Sequence, residues 1–142
     1  RKLNEEMRTM NVRMGRKMAE LAEAVSPSAS VGGWLASIKA GTTPGTYPVG
    51  QAVVFAHLGL SERETFAVHQ YGVATMMVSS ALRLMKLSYL DAQAILFAVN
   101  GDAEADFDRV ADAGLEDMAA FAPTFDVLAA LHVGATVRMF MN

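Results

Sequence analysis

Cysteine is absent from the chain, which excludes a disulfide framework and any metal site built on thiolates; this fits a cytoplasmic protein. A basic excess is absent too. With 12 Lys and Arg against 15 Asp and Glu, the formal net charge is -3, the wrong sign for a protein whose main ligand is a phosphate backbone. No nucleic-acid partner is expected. The sequence also lacks the motifs of common catalysts: no phosphate loop, no Gly-x-Ser-x-Gly elbow, no His-x-His or His-Glu-x-x-His spacing, and no histidine beside a plausible nucleophile. It is read as a non-enzyme, with no catalytic, cofactor-binding or metal-binding residue to assign. No signal peptide is visible. The chain opens at Arg1 within what reads as a running helix, so N-terminal sequence is expected to be missing.

Long strictly apolar runs are also scarce. Thr65 to Leu82 contains no Asp, Glu, Lys or Arg and so imitates a membrane span. It is interrupted by His69, Gln70, Ser79 and Ser80, whereas spanning takes ~20 strongly apolar residues. The segment therefore predicts a buried helix and no membrane partner. No stretch alternates with period two for long enough to form a strand. The fold class is all-α, a single-domain multi-helix bundle over residues 1–142.

What is present is apolar residue. Hydrophobic types make up 52% of the 142 residues and the mean hydropathy is +0.23, enough for a core and for apolar surface that meets a partner. In the first helix Leu3, Met7, Met10, Met14, Met18, Leu21 and Val25 step by three or four and predict one apolar stripe. Arg8, Arg13, Arg16, Lys17, Glu20 and Glu23 lie between them on a solvated face. "SPSAS" (Ser26 to Ser30) stops this helix, and a short one is expected over Val31 to Ala40, with Trp34, Leu35 and Ile38 inward. "GTTPGTYPVG" (Gly41 to Gly50) reads as a loop, having three glycines and two prolines. A brief helix over Gln51 to His57 ends at Gly59. Ser61 with Glu64, and Ser88 with Asp91, form capping-box patterns that start two further helices. The first of these should reach about Lys86. The second should end near Asn100-Gly101, where glycine supplies a left-handed closing turn. Asp102 then caps another helix up to Gly114, a helical segment covers Leu115 to Phe121, and Pro123 opens the last helix.

Several patterns imitate chemistry. "DAEADFD" places Asp102, Glu104, Asp106 and Asp108 at alternate positions like a calcium loop. The glycine and the bidentate glutamate that an EF-hand requires at its sixth and twelfth positions are Phe107 and Ala113 here. An acidic helix start, favoured by the helix dipole, explains these residues better. His57, His69 and His132 are too scattered for a local metal motif. The ten methionines could in principle serve a soft cation, but at helical spacing they read as core or adaptable interface. Ser79 and Ser80 are expected to bond back to the preceding turn. Arg83 and Arg138 close strongly apolar segments. Each can interact with unpaired carbonyls at a helix C-terminus, and each could instead reach carboxylates or carbonyls on a partner subunit.

Four stretches, taken in order, carry a resemblance. "RKLNEEMRTMNVRMGRKMAELAE" is similar to an arginine- and glutamate-rich helix, "GTYPVGQAVVFAHLGL" to a Gly-His-x-Pro-Val segment leading into an alanine-rich helix that ends in Leu-Gly. "SSALRLMKLSYLDAQAIL" is similar to an Ala-x-Arg-Leu-x-Pro-Leu-Gly-Gln block, and "FAPTFDVLAALHVGATVRMFMN" to an apolar helix preceding His-Glu and Arg-Leu-Phe. Together they resemble the urease accessory protein UreF family. Thr46 stands where that family has histidine, Lys86 replaces its proline, Ser88-Tyr89 its Gly-Gln, and Val133 the glutamate after His132. The family's N-terminal portion is expected to be lacking. The resemblance implies an all-helical, cytoplasmic homodimer that acts as a scaffold or chaperone rather than a catalyst. It would bridge UreD (UreH) and the GTPase UreG for insertion of nickel into the urease apoprotein, with nickel as cargo of the pathway and no cofactor bound by this chain. Tyr47, Pro48, Arg83, His132 and Arg138 are the candidate partner or dimer contacts. The alternative is a diverged helical dimerisation module with no urease role.

Overall fold

The computed structural model describes residues 5–118 and 123–134. They form α1 (Glu5–Val25), α2 (Ala29–Lys39), α3 (Tyr47–His57), α4 (Glu62–Leu84), α5 (Tyr89–Val110), a single 3-10 turn at Leu115–Asp117, and α6 (Pro123–Val133). No strand occurs among the described residues, so the all-α class holds. The described residues fall into two compact units, divided within α3: one runs up to Gly50 and resumes at Leu115, the other is Gln51–Gly114.

In the first unit α1 and α2 pack together. The buried positions of α1 are Gly15 and Ala19, not the methionine stripe. Met10, Met14 and Leu21 are exposed and Val25 is 75% exposed, so of the two readings, core or adaptable interface, these positions of the apolar stripe do not take the first. The reason is steric. Asn11, Gly15, Ala19 and Glu23 recur every four residues and so share one face of the helix; being mostly small, that face admits close backbone approach. A Cβ on Gly15 would lie 2.1 Å from the Gly45 carbonyl oxygen and 2.7 Å from the Tyr47 nitrogen. The Glu23 carboxylate lies against Gly32 of α2, where a Cβ would be 3.2 Å from Oε1. Val31 and Leu35 of α2 are buried, and Ser28 caps the helix by accepting from the Val31 N–H at 3.2 Å.

The stretch Gly41 to Gly50, expected to be a loop throughout, is helical from Tyr47 onward. Pro48 falls in the first turn of α3, where no backbone N–H is needed from it. Gly50 continues the helix, its N–H donating to the Thr46 carbonyl at 3.0 Å. Any side chain there would strike Trp34, whose Cη2 lies 2.3 Å from the Cβ position. Packing on the indole therefore overrides the weak helix propensity of glycine. α3 ends as its sequence suggests: Gly59 takes a φ of 84°, and the Leu60 and Gly59 N–H groups donate to Phe55 and Ala56, closing the helix with a left-handed turn.

The second unit is dominated by the α4–α5 hairpin. Both helices open with complete capping boxes, at Ser61–Glu64 and Ser88–Asp91. Val78, Ala92 and Leu96 form the buried cluster, with Ala74 and Leu87 packed against it. α4 is not the buried helix expected from Thr65 to Leu82. It buries Val78, while Val68, Tyr71, Met76 and Met77 are exposed, because one flank alone meets α5. Among the described residues no helix is long and apolar enough to cross a membrane. α5 does not stop at Asn100-Gly101 but runs on to Val110, so the separate helix expected to start at Asp102 is the second half of α5. Only the Leu115–Asp117 turn is seen of the helical segment expected up to Phe121; residues 119–122 lie outside the described residues.

Two glycine substitutions should therefore have opposite signs. Gly15→Ala places a Cβ inside backbone atoms and should destabilise by about 2 kcal/mol or more. Nothing lies within 4 Å of a Cβ on Gly101, so Gly101→Ala should stabilise by ~0.8 kcal/mol. Urea unfolding midpoints measure both; a loss of stability in Gly101→Ala would mean that Gly101 does terminate a helix.

Candidate functional site

Tyr47 and Pro48 sit at the start of α3, in the first unit. The Tyr47 backbone N–H donates to Asn11 Oδ1 at 3.1 Å, so a side chain from α1 satisfies one of the orphan donors of α3. Tyr47 is half-buried and Pro48 exposed. His132, in the last turn of α6, belongs to the same unit. Its Nδ1 lies 3.5 Å from Glu6 Oε2 at the start of α1, the outer limit of a hydrogen bond. Arg83 lies in the other unit, exposed in the last turn of α4, where a cation complements the helix dipole. Arg138 lies outside the described residues. Tyr47 and His132 thus each meet a different part of α1, at Asn11 and Glu6.

The acidic stretch is a clasp rather than a cation loop. Asp102, Glu104, Asp106 and Asp108 occupy the second half of α5, not a helix start, so the dipole disfavours them, and specific partners compensate at Glu104, Asp106 and Asp108. The Arg63 guanidinium reaches Glu104 at 2.7 Å and Asp108 at 2.8 Å and lies 4.5 Å over the Phe107 ring. Phe107 in turn meets Phe66 edge-on at 5.6 Å. Gln70 donates to Asp106 at 2.6 Å, and Arg109 also pairs with Asp106. The Asp108 hydrogen bond, opposed by some desolvation, raises the already high pKa of Arg63. Every one of these partners lies on α4 or α5, so the clasp holds the hairpin closed.

The remaining polar pairs also serve the fold. His69 Nδ1 and Gln51 Oε1 are 2.6 Å apart, and Gln51 is buried. Ser80 donates to the Met76 carbonyl at 3.0 Å, the backward bond expected of a helical serine. Among the described residues no group of three His, Asp or Glu is placed to hold a metal ion. A cavity of about 520 Å³ opens beside Tyr71, Gln93, Leu96, Phe97 and Asn100; it carries no charged or nucleophilic side chain. The more conspicuous surface, missed in the sequence reading, is the connection from Leu84 to Leu90. Its signal was available: no acid occurs between Glu64 and Asp91.

The UreF family model matches residues 1–100. Urease accessory protein UreF 1 of Brucella melitensis is 49% identical over all 142 residues, which cover 59% of that relative. The UreF proteins of Photorhabdus laumondii and Yersinia enterocolitica are 49% and 48% identical over the same span, each covered to 62%. The chain therefore spans about three-fifths of the length of these relatives. No solved structure gives a significant match.

The α4 cap yields a pH-dependent expectation. The Glu64 carboxylate accepts from the Ser61 backbone N–H and from its hydroxyl, both at 2.7 Å; the backbone bond first and the hydroxyl second hold its pKa below the ordinary 4.5. A carboxylate depressed on folding stabilises above its unfolded value and loses that contribution as pH falls through the folded one. Protection of the Glu64 amide against hydrogen exchange should accordingly drop as pH falls below 4.5. Glu64→Gln keeps a capping-box acceptor and should flatten that dependence; an unchanged pH profile in the variant would refute the assignment.

Proposed function

The chain belongs to the UreF family of urease accessory proteins, and from that premise we propose that it is a non-catalytic scaffold in urease maturation. In this reading it works in the cytoplasm as a homodimer. It bridges UreD (UreH) and the GTPase UreG so that nickel, the cargo, reaches the urease apoprotein. The observation that carries the proposal is identity near 49% along the whole chain to UreF relatives. The surface supports it physically. Large apolar side chains stand exposed on α1, α4, α5 and α6, more than scattered surface hydrophobes account for, and such surfaces mark protein contacts.

Tyr47, Pro48, Arg83, His132 and Arg138 remain the proposed contacts with partners or the second copy. Arg83→Ala and Arg138→Ala should weaken complex assembly several-fold while the helical circular dichroism stays unchanged. Co-purification with UreD and UreG, followed by size-exclusion chromatography with light scattering, measures this. Loss of thermal stability with assembly intact would reduce the residue to a helix cap. Failure of the protein to bind either partner would remove the scaffold reading and leave a diverged dimerisation module.

A further inference from the structure

We propose that the α4–α5 connection is a docking knob for a partner protein whose surface offers an apolar groove rimmed by carboxylates. This deepens the scaffold reading and rests on it. Leu84 is 54% exposed, Met85 69%, Tyr89 69% and Leu90 78%. Arg83 and Lys86 are exposed among them. They are the only Lys or Arg residues between Glu64 and Asp91, a stretch without acids in a chain of net charge -3. Asp91, the first acid after it, is engaged by Ser88, whose hydroxyl donates to it at 2.6 Å. The surface therefore presents apolar side chains together with the exposed cation of Lys86, and its complement is apolar and anionic.

The knob is held in shape before any partner arrives. The Met85 N–H donates to the Ala81 carbonyl at 2.8 Å and the Leu87 N–H to the Met85 carbonyl at 3.0 Å. Leu87 turns inward onto the cluster of Val78, Ala92 and Leu96, which leaves its neighbours facing out. A surface ordered in advance loses less entropy on binding, and Tyr, Met and Arg are types enriched at interface cores. A second copy is the wrong occupant, because a two-fold contact through this knob would bring Arg83 and Lys86 against their own copies. An anionic membrane is also a poor match. Lipid recognition typically uses clusters of about 4–8 basic residues, and this knob carries Arg83 and Lys86 alone.

The test measures the affinity of the protein for purified UreD and purified UreG by interferometry at two salt concentrations. Lys86→Glu and the double variant Tyr89→Ser/Leu90→Ser are compared with wild type. All these side chains are exposed, and unchanged circular dichroism and thermal midpoint verify the fold. Each variant should weaken binding to one of the two proteins at least tenfold and leave the other within twofold. Wild-type affinity for that protein should fall as salt rises, and Lys86→Glu should flatten this dependence. Wild-type binding to UreD or UreG that both variants retain overturns the knob and leaves the scaffold reading standing. Wild-type protein that binds neither overturns both. Tighter wild-type binding to phosphatidylserine vesicles than to either protein, lost in the variants, overturns the choice of a protein partner.

Discussion

The contact on which the first unit depends is backbone against backbone, at Gly15. The Gly45 carbonyl and the Tyr47 nitrogen come so close to α1 that a single methyl group would collide with both. This proximity lets Asn11, one turn earlier, accept the Tyr47 N–H and so fixes where α3 begins. Once α3 begins at Tyr47, Pro48 falls in the one helical turn that tolerates proline, and Gly50 falls against Trp34. A second missing side chain is then required for the indole to fit. Two of the candidate contacts, Tyr47 and Pro48, thus owe their positions to the missing side chain at Gly15 as much as to the Asn11 side chain that the close approach brings into reach.

That dependence explains which parts of the fold could be read from sequence. Capping is local: Ser61 needs only Glu64, and Ser88 only Asp91, so both helix starts were legible, as was the glycine closure at Gly59. The misread elements involve glycines whose role is decided by distant residues. Asn100-Gly101 has the composition of a helix end, yet Arg63 and Gln70 grip α5 beyond it, and this keeps the helix running. Gly50 has the composition of a loop, yet Trp34 holds it in a helix. The methionine stripe of α1 was correctly periodic. Periodicity shows that a face is apolar and leaves open whether the covering surface belongs to this chain.

The candidate contacts were legible to a similar degree. Arg83 is where its sequence context put it, exposed in the last turn of α4. Nothing near His132 in sequence points to Glu6, which stands at the far end of the chain. The acidic stretch was placed at a helix start and lies instead in the second half of α5, because its partners Arg63 and Gln70 come from the preceding helix. Two residues of the α4–α5 connection also gain a physical reading. Ser88 supplies the N-cap of α5, and Lys86 adds a cation to an exposed apolar turn.

The distribution of side-chain size then bears on what kind of protein this is. Intrachain contacts are made largely through small residues, Gly15, Ala19, Gly50 and Ala92, with a few branched aliphatics such as Val31, Val78 and Leu96. The large flexible types are left outside: Met10 and Met14 on α1, Met76 and Met77 on α4, Leu128 and Leu131 on α6. A protein stabilised only by its own core gains most by burying the reverse set, since stabilisation grows with the apolar area removed from water. Methionine and leucine held at the surface at helical spacing offer adaptable area to another protein. Among the described residues, the apolar area left at the surface is therefore of the kind that another protein surface covers.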